Sequence, residues 1–210
     1  MVLGLFTVII MGVVAYAFWR EGPLTAFAMC VNVVLAGLLA FNFFEPIADL
    51  LDSSFEDTFA DGTQDALAMM LIFLPVLALL RFITNSIANT HMEYPPILYR
   101  GGAVVFGLVT GYLVSGFLVC VLQTLPLQQN FLSFEVDEPG KSHPLRKVLP
   151  PDVVWLAMMH RVSDDRRLGW EGQFDPNCNF ELRYLRYRRF DESGTPLKWR
   201  GELQAGNKEQ

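Results

Sequence analysis

Residues 101–125 run from Gly101 to Leu125 without one charged side chain. As a helix such a run is about 37 Å long, more than the ~30 Å hydrocarbon layer of a bilayer. In lipid every backbone donor and acceptor must be satisfied within the segment, and a helix does this. Gly107 and Gly111 are four apart, so they share one helical face on which a neighbouring helix can approach closely.

Three more apolar runs precede it, at residues 2–19, 24–44 and 66–83. The expected fold is therefore an all-α membrane protein: four transmembrane helices, arranged as two packed hairpins, with a small extramembrane C-terminal region. Residues 1–127 form the transmembrane domain in this reading, and residues 128–210 a soluble charged region. The charge supports that division. Residues 1–127 hold three basic and nine acidic side chains, whereas residues 128–210 hold thirteen of each. The first run lacks the basic n-region and cleavage site of a signal peptide, so it reads as a retained helix. Cys30, Cys120 and Cys178 have no CxxC spacing and no close histidines, so neither a metal site nor any other cofactor is expected.

Within the apolar runs, polar residues are sparse. Asn32 falls near mid-membrane, where an amide without a partner is costly, so it should face another helix. Arg20, Glu21, Gly22 and Pro23 make a turn too short to hold a domain, which should bring the second span back beside the first. Pro75 should bend the third span. Arg81 lies close enough to the end of that span for its stem to reach the headgroups. Residues 45–65 contain seven acids and no lysine or arginine; Leu51, Phe55 and Phe59 recur every four residues, as in an amphipathic helix on the membrane surface. The acids do not have EF-hand spacing. Residues 84–99 read as a short interfacial segment broken at Pro95-Pro96, and His91 and Glu93 do not share a helical face.

The three arginines of the short loops set the orientation. Arg20, Arg81 and Arg100 belong to one side, and the loop between the second and third spans is acidic. Basic residues favour the cytoplasmic face, which puts the acidic loop and the C-terminal region outside it.

In the tail, Pro150-Pro151-Asp152 introduces a helix from Val153 to Arg161, with Val154, Trp155, Met158 and Met159 available for packing. The interleaved bases and aromatics Arg183, Tyr184, Arg186, Tyr187, Arg188 and Arg189 are the candidate recognition surface, suited to protein or to anionic headgroups. Nucleic acid is not expected as a partner, because the tail has no net positive charge. His160 and Asp164 are one helical turn apart, yet no nucleophile motif accompanies them, and no catalytic residue is assigned.

Tyr16-Ala17-Phe18-Trp19-Arg20-Glu21-Gly22 between two spans, Leu35-Ala36-Gly37-Leu38-Leu39-Ala40 within the second, and Arg100-Gly101-Gly102 opening a span with Gly107, Gly111 and Gly116 form one ordered set. In this order the chain resembles the bacterial colicin V production protein family, the CvpA family, over residues 1–125. By position, Arg20 and Gly22 match that family's Arg-Gly turn, with Glu21 intervening, and Gly102, Gly107 and Gly111 match its last-helix glycines. The resemblance implies a multi-pass protein of the bacterial inner membrane, associated with colicin V export and envelope homeostasis, with no catalytic residues. The expected partners are membrane lipids, and further copies of the chain or other envelope proteins. The rival expectation is an oligomeric channel or transporter subunit, with Asn32, Thr110 and Ser115 facing a shared hydrated path.

Overall fold

The computed structural model describes residues 2–55, 63–87, 95–125 and 151–164, and all four stretches are helical apart from short turns. The helices are α1 (Val2–Phe18), α2 (Pro23–Phe55), α3 (Gln64–Ile87), α4 (Pro96–Thr124) and α5 (Pro151–Asp164). Three of them are long and apolar enough to cross a membrane, over Pro23–Leu51, Gln64–Ser86 and Tyr99–Thr124. The N-terminal helix is apolar but shorter, over Gly4–Phe18.

The α1–α2 turn is built by a glycine and a proline in succession. The Glu21 and Gly22 amides donate back to the Phe18 carbonyl at 3.1 and 3.3 Å, closing the last turn of α1. Gly22 then takes φ +96°, a left-handed conformation that side chains disfavour, and Pro23 opens α2, where its missing N–H costs nothing. Pro96 does the same for α4 after an extended Pro95. The fourth helix thus starts before Gly101, and Tyr99 and Arg100 belong to its first two turns.

Two departures from the sequence reading matter for the packing. The second helix does not stop near Phe44; it continues through Pro46 to Phe55. Pro46 removes one backbone donor, but beyond it Ala48 is buried, and Ile47 and Leu51 pack on the same core, which holds the chain helical. Residues 45–55 therefore extend a core helix, while Phe59 lies outside the described residues.

The second departure concerns the first hairpin. α1 scarcely touches α2; its neighbour is α4, which also packs on α2, and α2 in turn packs on α3. The legs of the α1–α2 connection are held apart because the start of α4 occupies the space between them. Tyr99 Oη donates to the Arg20 carbonyl at 3.5 Å, and a Cβ on Gly102 would lie 2.9 Å from the Pro23 ring. The core lies where α2, α3, α4 and α5 meet, around Phe41, Phe44, Met69, Phe73, Phe117 and Trp155.

Candidate functional site

The seam between α1 and α4 is a contact of backbones. A Cβ on Gly107 would stand 2.8 Å from the Ala15 Cα, and one on Gly111 would stand 2.6 Å from the Met11 Cα. No side chain beyond glycine fits there without moving α1, because a backbone atom cannot rotate away. Gly22, in the turn, is closed over by the Tyr99 ring, whose Oη would lie 2.7 Å from an added Cβ.

At the arginine-bearing end, α2 and α3 enclose a small polar cleft. The Asn32 amide is buried and donates through Nδ2 to Thr84 Oγ1 at 3.0 Å. The Thr84 hydroxyl in turn donates to the carbonyls of its own helix, 2.9 Å to Leu80 and 3.1 Å to Arg81. Arg81 reaches back across the cleft to the α1–α2 turn, with Nη2 3.1 Å from Glu21 Oε1. The cleft is narrow, with a volume of ≈ 10 Å³ that leaves room for about one water, and is lined by Phe18, Thr25, Ala28, Met29, Asn32, Arg81, Thr84 and Asn85. Two hydroxyls of α4 are satisfied on their own helix: Thr110 Oγ1 donates to the Phe106 carbonyl at 2.7 Å, and Ser115 Oγ to the Tyr112 carbonyl at 2.8 Å.

A second constellation comes from α5, inside the region the sequence assigns to the tail. Trp155 is fully buried, and its Nε1 donates to the Leu113 carbonyl at 2.7 Å. Its indole fills a slot left by two glycines. A Cβ on Gly37 would collide with the six-membered ring, and one on Gly116 would collide with the Pro151 carbonyl and stand 2.8 Å from Trp155 Cδ1. Phe41 and Phe117 flank the indole at centroid distances of 5.8 and 6.0 Å, and Phe117 stacks on Phe73 at 4.0 Å. Leu113 lies eleven residues from the Thr124 end of its candidate span, so the indole bonds about 16 Å below that end. Beside it, the fully buried Asp152 accepts from Gln123 Nε2 at 2.9 Å. A carboxylate in that setting needs such donors, and its place in the first turn of α5 adds the favourable end of the helix dipole.

The helix places His160 and Asp164 one turn apart on α5, but their side chains lie outside the described ones. Arg183, Tyr184, Arg186, Tyr187, Arg188 and Arg189 are also outside the described residues, as are His91, Glu93 and Cys178. Among the described residues no group of three or more His, Cys, Asp or Glu side chains is placed to hold a metal ion. Sequence reasoning gave Trp155 a packing role without its receptacle and placed Asp152 only at the helix start, and it passed over Gln123 and the slot function of Gly37 and Gly116. The one available signal was Pro151-Asp152 at a helix start followed by a tryptophan.

The family model of the colicin V production protein matches residues 3–136, which take in all of α1 through α4 except Val2. The chain belongs to that family. No curated protein and no solved structure matches it. The matched stretch ends before α5, so the helix that inserts Trp155 lies beyond the part of the chain that the colicin V production family model covers.

Proposed function

We propose that this colicin V production family protein is a nonenzymatic, four-span protein of the bacterial inner membrane that supports export or envelope homeostasis. The family membership supports this reading. So does the use of polar side chains within the spans for contacts between and within helices: Asn32 bonds Thr84, and Thr110 donates to the Phe106 carbonyl. A helix of seventeen residues extends about 25 Å, enough for α1 to make the first crossing of a locally thinned bilayer. The rule that basic loops stay cytoplasmic puts Arg20, Arg81 and Arg100 inside and the C-terminal region outside.

The test is a deletion of the chain in its own bacterium, read by colicin V release and by survival under detergent stress of the envelope. The expected result is a loss in one or both that the plasmid-borne chain restores. Unchanged release together with unchanged survival would reject the proposal. Single cysteines near residues 57 and 190, probed from outside intact cells, read the orientation: both should label.

A further inference from the structure

We propose that α5 is embedded in the membrane and is not part of a water-soluble tail: it lies in the leaflet opposite the arginine-bearing end, and its outward face is a contact surface for lipid acyl chains. The proposal rests on the membrane reading above, since the depth of α5 is counted along α4.

Arg100 is exposed and is the last charge before the apolar run, so it marks where α4 enters the hydrocarbon. About 20 helical residues cover the ~30 Å layer, which puts the far boundary near Val121. α5 is held inside that boundary. The Pro151 carbonyl sits against Gly116, and the Trp155 indole bonds the Leu113 carbonyl. At 1.5 Å per residue these contacts lie about 7 and 12 Å below the level of Val121. The polar start of the helix stays higher, because Asp152 pairs with Gln123, on the outer side of Val121.

The sequence of α5 suits the same place. Val153 to Met159 are seven consecutive apolar residues, so two turns are apolar all round. Charged side chains are kept to the two ends, Asp152 in the first turn and Arg161 and Asp164 in the last. Asp152, Trp155 and Met159 recur at helical spacing and are buried against the bundle. On the other side stand Val153 and Val154, 44% and 39% exposed, and the exposed Ala157. A surface helix in water turns polar residues outward, whereas a free side of valine and alanine matches a hydrocarbon neighbour.

Arg161 fixes the direction. It is exposed and lies nine residues beyond Asp152, about 14 Å along the helix. A helix descending along the bundle axis would carry that guanidinium toward the bilayer centre, where a charge is costly. Lying along the leaflet keeps both polar ends within reach of the headgroups, since the arginine stem can extend to them. Asp164, the last residue of α5, then stands at the membrane surface.

The experiment uses the full chain with its three native cysteines replaced by alanine, in liposomes of phosphatidylethanolamine and phosphatidylglycerol. Single spin labels are placed through Val154→Cys, Ala157→Cys and Val109→Cys, the last on the exposed side of α4 in mid-span. Collision rates with oxygen, which concentrates in hydrocarbon, and with a water-soluble nickel chelate give the depth of each label. Val154 and Ala157 should read about 5–10 Å into the leaflet, and Val109 deeper. Nickel collisions in excess at Val154 and Ala157 overturn the proposal by placing α5 in water. Shielding from both reagents also overturns it, by giving the outward face to protein; dipolar broadening between labels then identifies a second copy of the chain. Val109 separates the two failures. A water-exposed Val109 brings down the membrane reading and the place of α5 with it, whereas a lipid-facing Val109 beside a water-exposed Val154 overturns the place of α5 alone.

Discussion

One helix, α4, uses glycine in two ways on two of its sides. Against α1, Gly107 and Gly111 admit a backbone, and the nearest atoms to a missing Cβ are the Cα atoms of Ala15 and Met11. Against α5, Gly116 admits the Pro151 carbonyl together with the edge of the Trp155 indole, and Gly37 of α2 admits the far side of that ring. The first seam is a long shallow contact in which many small gains of dispersion add up. The second is a single large insertion whose polar atom also finds a partner, the Leu113 carbonyl. A seam of the first kind is interrupted by adding atoms, and a joint of the second kind by removing them.

The largest effect should come from emptying the slot. Trp155→Ala removes the indole from among Phe41, Phe117 and the two glycines, and is expected to destabilise the chain by about 3–5 kcal/mol. Thermal unfolding in detergent micelles measures it. An unchanged midpoint would mean that α5 does not belong to the core. Next comes overfilling of the backbone seam: Gly111→Leu should cost about 1–3 kcal/mol, because the obstruction is the Met11 backbone. Gly12→Leu, placed where nothing lies within 4 Å of the added Cβ, is the matched control. It should stay within about 0.5 kcal/mol, and equal losses in the two variants would erase the difference between seam and surface. Apart from the control, the smallest effect is expected at Asn32→Leu, about 0.6 kcal/mol and at most ~1.7, as for other hydrogen bonds between membrane helices. Thr84 keeps its bonds to the Leu80 and Arg81 carbonyls in that variant, so no buried hydroxyl is stranded. A loss above that ceiling in denaturant titration would give the Asn32 contact a larger role than packing.

Much of this was legible in the sequence as local pattern. Apolar runs marked α2, α3 and α4, and the Gly107/Gly111 spacing marked a face for close approach. Gly22 and Pro23 marked a turn, which the structure builds from a left-handed glycine and a helix-opening proline. The limits of α2 were not legible, because a proline after Phe44 and a rise in acids argue for a stop, and only packing of Ile47, Ala48 and Leu51 argues against one. The α5 joint was not legible either. Trp155 is separated in sequence from Gly116 by 39 positions and from Gly37 by 118, and nothing in the run around either glycine distinguishes a ring receptacle from an ordinary helix contact.

By itself, then, the order of amino acids decided which stretches become helices, since in an apolar medium a backbone of that composition has no cheaper way to satisfy its donors and acceptors. It also decided that a few residues, Asn32 among them, need a partner beyond their own helix. The tertiary structure alone decided who the partners are: Thr84 for Asn32, α4 between α1 and α2, and an indole from the tail at the middle of the bundle. The reason is that apolar faces in lipid differ little in hydrophobic energy, so neighbours are chosen by the fit of small residues against backbones and rings, and that fit exists only once the helices are assembled.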